Sequence, residues 1–406
     1  MKPIFLSLGS EYSPVVLRAF WRALFSPQNV FQTTHELDQA LAELFPKLTE
    51  RAYTRFGRDA IEVALRAMQI GKGDQVITQA FSCQAVPRAI ERAGAEAVFV
   101  DIAVETMNPT VSTLTEAHRR ATRAKAVIIQ HTLGLPADIS AIKKWCQEHK
   151  LICIEDLAQA YGGSDITGVP LGSTADAVIL SFGKNKVLDA TGGGACLLNP
   201  LVIKDAAYLD SFRLFSHEGM PFSKKLYPFV TACIRSSYSI GLGKIIAAVA
   251  RRLGILASPV IEDKPFAQTC PALYGEWAQV HLQRLATQLA HRRIIAGVYA
   301  QAFPTSMRGN KDQYTQGSCL RFVLSVSEPA KLIAFCKKKQ LYIADRWYRQ
   351  PVDSGSLQYA HGYLLGSCPT AELLTQTTVN LPTHECVTPQ LAQQIVQIIK
   401  AFGIER

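Results

Sequence analysis

The chain has 406 residues, 48% hydrophobic and 19% charged, which excludes a disordered or fibrous polymer and leaves a folded protein of about two domains. Its 43 Lys and Arg against 33 Asp and Glu give a formal net charge of +10, so nucleic acid, an anionic membrane and acidic substrates all have to be weighed as partners. Ten cysteines occur, none in a Cys-x-x-Cys spacing and none grouped with histidine as metal ligands; neither zinc nor a disulfide framework is expected, and a reducing cytoplasm fits.

The opening MKPIFLSLGSEYSP lacks a long apolar core behind its basic start, so no secretory signal is expected. No uncharged apolar run reaches the roughly 18 residues of a spanning helix. Leu17, Phe20, Trp21, Leu24 and Phe25 predict a helix from Val15 to Phe25. From Arg55 the text becomes regular. FGRDAIEVALRAMQI reads as a helix, VIT as a strand, CQAVPRAIERAG as a helix and AEAVFVD as a strand. A helix near Ser112 to Arg123, the strand KAVIIQ, a helix from Ile139 to His149 and the strand LICIED follow. Apolar strands alternating with amphipathic helices predict an α/β fold whose mainly parallel sheet is covered on both faces. Ligands of such sheets bind at the carboxyl ends of strands, which selects Asp101, His131, Asp156 and Ser181.

Beyond GGGACLLNP the texture changes. A large domain over 1–200 gives way to a basic and apolar insertion over 201–270, then a long helix and a small α+β C-terminal domain over 271–406. The long helix is expected from Pro271 to Phe303, with CLRFVLSV and LYIADRW as strands, a helix from Pro329 to Lys339, another from Pro369 to Gln376, VNLP as a strand and a last helix from Pro389 to Phe402.

In SFGKNKVLDATGGG two lysines follow a strand end and precede a glycine turn, where a desolvated amine can stay neutral and attack a carbonyl. Asp156 ends a strand in IEDLAQAYGG with Gln159 three positions on; it reads either as a helix cap or as the partner of a protonated pyridine nitrogen. Phe56-Gly57-Arg58-Asp59 opens a helix whose free N–H groups can cradle a phosphate. Gly192-Gly193-Gly194 leads into a strand, so the dinucleotide fingerprint fails.

Together RFGRDAIEVAL, HTLGLPADI, IEDLAQAYGG, LGSTADAVILSFGKNKV and GGG, with the later SCPTAELLTQTTVNLPTH, resemble the DegT/DnrJ/EryC1/StrS family of fold type I, pyridoxal 5′-phosphate-dependent sugar aminotransferases. The resemblance implies Lys186, and not Lys184, as the Schiff-base lysine, Asp156 as the pyridinium partner, Gln159 at the phenolic oxygen, Ser181 with Gly57, Arg58 and Asp59 at the phosphate, and His131 near the ring. It implies a homodimer, a keto-sugar substrate and an amino-acid donor such as glutamate. Where many members stack an aromatic ring on the cofactor, this chain has Cys83, with Phe81 as a substitute. The usual Gly-Glu-Gly-Gly is Thr191-Gly192-Gly193-Gly194, and the Asn-Tyr-Arg stretch that reaches the partner's site is missing. A silent cofactor-binding protein used for regulation or assembly is the rival, and a lyase, racemase or dehydrase stays open on the same scaffold.

Lys224 to Ile255 stands where that stretch would be, with six basic residues, no acidic ones and many apolar ones. It reads either as a solvated surface insertion or as an interfacial helix giving peripheral contact with the inner face of the membrane. No nucleic-acid-binding module accompanies the charge, so nucleic acid is not expected as a partner.

Overall fold

In this computed structural model residues 3–25, 30–257, 266–344, 346–353 and 361–405 are described. In chain order the elements are α1 (Pro14–Phe25), α2 (Val30–Leu44), β1 (Glu50–Thr54), α3 (Gly57–Ala67), β2 (Gln75–Gln79), α4 (Ala85–Ala93), β3 (Glu96–Val100), α5 (Val111–Arg120), β4 (Ala124–Gln130), α6 (Ile139–Glu148), β5 (Ile152–Asp156), β6 (Ala177–Ser181) and β7 (Gly194–Leu198). Then come α7 (Phe222–Ser237), α8 (Leu242–Arg252), α9 (Ala272–Leu282), α10 (Leu285–Ala302), β8 (Arg321–Ser325), α11 (Pro329–Lys338), α12 (Pro369–Thr377), β9 (Thr378–Pro382) and α13 (Pro389–Phe402).

Seven strands form one sheet in the order β1-β7-β6-β5-β4-β2-β3, parallel except where β7 meets its two neighbours. Strand side chains alternate between faces. Val76, Ile128 and Ile154 accordingly pack among the residues of α3 and α4, while Ile77, Val127 and Cys153 pack with Leu114, Ile142 and Trp277 on the other side. Burial on both faces is why these strands read as continuous apolar runs.

The long helix expected from Pro271 is two helices, broken at Gln283 and Arg284. Of the described residues of LYIADRW only Leu341–Tyr342 is strand, pairing in parallel with Ile4–Phe5. Ile4 and Leu6 are buried with Phe322, Val379 and Ile395, so the N-terminus shares the C-terminal core. Residues 224–255 fold as α7 and α8 rather than one helix, because Gly241 takes φ +86°, a left-handed turn that glycine adopts without steric cost. Two of the six basic side chains there are not solvent cations: Lys224 is buried, and the Arg235 guanidinium donates to the Tyr12 carbonyl at 3.0 Å. No described helix is long and apolar enough to cross a membrane.

Candidate active site

The carboxyl ends of β5 and β6, the start of α3 and the loop after β6 surround a cavity of about 610 Å³. Of the residues singled out from the sequence, Gly57, Arg58, Cys83, Asp156, Gln159, Ser181 and Lys186 line it. A Cβ at Gly57 would lie 2.8 Å from the Ser181 Cβ, so glycine alone lets the start of α3 close on that hydroxyl. The juxtaposition of a helix N-terminus and a serine is an anion cradle.

Asp156 is buried at the end of β5, and burial raises its pKa against the pull of the Ala158 N–H, which donates to Oδ1 at 3.0 Å, and of the Lys186 charge. Burial lowers the pKa of Lys186 and the Arg321 charge adds to this, while Cys83, Asp156 and Asp189 act in the opposite direction. Its Nζ lies 5.0 Å from the centre of the Trp347 ring. Lys184, by contrast, donates to the Ala257 carbonyl at 3.1 Å and sits 3.9 Å from the centre of the Tyr227 ring. Both lysines line the cavity, and the Lys184 amine ties the loop to the segment after α8.

The side chains of three expected residues point elsewhere, although the Asp59 backbone stays at the start of α3. His131 is buried on the other face of the sheet: its Nε2 meets Glu155 Oε2 at 3.0 Å and its Nδ1 accepts from the Ala137 N–H at 3.1 Å. Alternation explains the error, since Glu155 and Asp156 are consecutive in β5 and must point to opposite faces. Asp59 turns to Arg92, at 2.9 Å, and burial lifts its pKa to about 6 against that cation. Phe81 is buried edge-on against Tyr348, their ring centres 5.0 Å apart, and does not reach the cavity.

Long-range packing supplies what sequence reasoning missed. Residues 346–353 lie along 80–84: the Val352 N–H donates to the Ala80 carbonyl and the Asp353 N–H to the Ser82 carbonyl. This brings Arg346, Trp347, Tyr348 and Arg349 into the wall. The Tyr348 hydroxyl accepts from Gln130 Nε2 at 2.8 Å and Gln159 Nε2 at 2.6 Å, while Gln159 Oε1 accepts from the Leu133 N–H. Asp189, buried below Lys186, accepts from the Asn185 N–H at 2.7 Å, the Thr191 N–H at 2.9 Å and the Tyr12 hydroxyl at 2.6 Å, pinning both arms of the lysine loop. Thr191 is held at φ +68°, a conformation costly for a β-branched residue, at the position where glycine is usual in the resembled pattern.

Tyr348→Phe would strip two buried amides of their acceptor, each at a cost of about 1–3 kcal/mol. A thermal midpoint lower by a few degrees is the expected result in a denaturation scan; an unchanged midpoint would mean that the pair of hydrogen bonds contributes nothing.

The model of the DegT/DnrJ/EryC1/StrS aminotransferase family matches residues 29–253 and 276–400. The chain belongs to that family. Among curated DegT/DnrJ/EryC1/StrS-type relatives, it is 33% identical over 192 residues to a UDP-N-acetyl-3-dehydro-alpha-D-glucosamine 3-aminotransferase of Acidithiobacillus ferrooxidans, covering 45% of this chain and 50% of that one. It is 41% identical over 142 residues to a pleiotropic regulatory protein of Geobacillus stearothermophilus, covering 35% and 37%. The chain thus spans about half the length, or less, of the curated relatives it matches. The solved structure of S. venezuelae DesV superposes with a TM-score of 0.71 at 19% identity, over 100% of this chain and 99% of that one, so the family's fold type I architecture is present.

The family's cofactor fits the site. Gly57 leaves the space at Ser181 that a phosphate cradle needs, and Asp156 presents a buried carboxylate whose Oδ2 has no hydrogen bond among the described residues, which suits a pyridine N–H. Lys186 offers the amine.

Proposed function

We propose that the protein is a pyridoxal 5′-phosphate-dependent aminotransferase that moves an amino group from a glutamate-like donor to a keto-sugar carried on a pyrophosphate. The observation that carries this reading is the meeting of Lys186, Asp156 and the Gly57–Ser181 cradle around one cavity. When bound, the cofactor supplies the aldehyde that takes up and passes on the amino group and the ring that withdraws electrons. Lys186, its pKa lowered by burial, would hold the cofactor through its neutral Nζ, and the same amine would move the proton that transamination transfers. Asp156 keeps the pyridine nitrogen protonated. The N–H groups opening α3 and the Ser181 hydroxyl would hold the phosphate, and the second hydrogen of Gln159 Nε2 would serve the phenolic oxygen.

The rest of the wall favours an anionic substrate. Arg58, Arg346 and Arg349 line the cavity with Lys186, against Asp156 and Asp353, while the Lys184 amine in the same wall is taken up by the Ala257 carbonyl. A pyrophosphate meets that balance whether its far end is a nucleoside or a polyprenyl chain. The relative from Acidithiobacillus, named for a UDP-sugar, supports the nucleoside form. A homodimer belongs to the reading, and within one chain Tyr227, Leu256 and Ala257 contribute to the cavity wall.

The test is a half-reaction followed by a sugar screen. Glutamate is expected to bleach the absorption of the bound cofactor, and keto-sugars on nucleoside diphosphates or polyprenyl pyrophosphates to restore it. The relative named a pleiotropic regulatory protein supports a second reading, binding without turnover. Cofactor that binds but never responds to an amino donor would select that reading instead.

A further inference from the structure

Helix α8 is inverted relative to a helix on a soluble surface. Its buried residues are small, Gly243, Ala247 and Ala250, and they let it sit close on α7: a Cβ at Gly243 would come within 2.4 Å of the Ile234 carbonyl. Its large apolar residues face outward instead. Leu242, Ile245, Val249 and Leu253 are 49%, 64%, 52% and 66% exposed, and their spacing of three, four and four makes one stripe on a helix. Ile240, 80% exposed, extends the stripe at its start. Lys244, Arg251 and Arg252 are exposed beside it, and the sequence has no acidic residue between Glu218 and Glu262.

Helix α1 has the same character. It buries Val16, Phe20 and Ala23, exposes Val15, Trp21 and Phe25 along with Arg18 and Arg22, and contains no carboxylate. Helix α7 joins the two, with Phe229 edge-on to Trp21 at 5.4 Å.

We infer that α1, α7 and α8 form a surface that docks on an anionic lipid bilayer, laying the α8 stripe and the α1 aromatics into the headgroup boundary while the cations meet lipid phosphates. Amphipathic helices with basic flanks bind in this way, and tryptophan favours the interface. Charge selects lipid over a second copy of the chain. Two such faces brought together by a two-fold axis would oppose cation to cation, whereas an anionic leaflet complements them. The same segment walls the cavity through Tyr227, Leu256 and Ala257, so docking would set the cavity beside the bilayer, where a sugar pyrophosphate on a polyprenyl chain would reside. The surface uses none of the residues assigned to the cofactor, so docking and transamination are tested separately.

The experiment is co-sedimentation of the full chain with vesicles of phosphatidylcholine alone or with about one third phosphatidylglycerol. Binding at least tenfold stronger to the anionic vesicles at low salt, weakened by high salt, is expected. Ile245→Glu with Val249→Glu, and separately Trp21→Ala with Phe25→Ala, should each lower it at least tenfold while the cofactor absorption and circular dichroism stay unchanged. Protein left in the supernatant with both vesicle types would overturn the inference, as would variants that sediment like the parent. Variants that turn a dimer into a monomer in light scattering, with no vesicle binding by the parent, would assign the face to a second copy and overturn it equally.

Discussion

Replacing Lys186 by Ala is expected to lower turnover by at least about 10⁴-fold, the combined weight of a lost nucleophilic amine and a lost proton carrier. The fold should survive, because the amine is held in the cavity at a cost. Burial depresses its pKa below 10.5, so the folded state binds fewer protons than the unfolded one between the depressed value and 10.5. Over that window wild-type stability rises with pH, and below it the charged lysine penalises the fold. Lys186→Ala should remove this slope, raising the midpoint of the cofactor-free protein at neutral pH. Lys184→Ala should do the reverse: catalysis nearly retained, stability reduced, since its contacts to the Ala257 carbonyl and the Tyr227 ring hold the segment after α8. Equal catalytic losses from the two would show that the reactive amine has been misplaced.

Asp156→Asn ranks second. The carboxylate gives the pyridine nitrogen a charged partner, and a hydrogen bond to a charged group is worth about 1.5–3 kcal/mol. Cofactor affinity should therefore fall roughly 10- to 100-fold at about 1.4 kcal/mol per decade. Turnover should fall further, because a neutral amide does not keep the ring protonated. Stability of the cofactor-free protein should move the other way. The folded pKa of Asp156 is raised by burial, so its contribution is intact below 3.8 and is lost as pH rises through the folded value. The asparagine variant lacks that loss and should melt higher at neutral pH. Cofactor titration and melting curves read the two effects separately; unchanged affinity would reduce Asp156 to a cap for the turn at Ala158.

The sheet was legible because strands buried on both faces spell continuous apolar runs, each followed by an amphipathic helix with a recognisable start. The ends of β5 and β6 then mark Asp156 and Ser181 with no further information. Tyr348 carried no comparable signal: it meets Gln159 across 189 positions of chain, and its own neighbourhood, LYIADRW, has the alternation of a strand that, among the described residues, Leu341–Tyr342 alone joins. Trp347 and Asp189 were missed for the same reason, since their importance lies in what a distant loop brings beside them. His131 was misread where the sequence held the correction. Parity along β5 separates Glu155 from Asp156, and a histidine hydrogen-bonded to the first is carried away from the second. In the insertion the apolar period was visible, but the exchange of small residues for large ones on the inner face of α8 was not, because it depends on how closely α7 approaches.

Transamination requires that Lys186 carry the cofactor and yield it to an amino donor. This requirement is tested most directly by adding pyridoxal 5′-phosphate, reducing with borohydride, and mapping the modified peptide by mass spectrometry, with and without prior glutamate. The pyridoxyl group is expected on Lys186 alone, with loss of that label when glutamate is added before the reductant. A label on Lys184 or any other lysine, or a label on Lys186 that glutamate leaves in place, would contradict it.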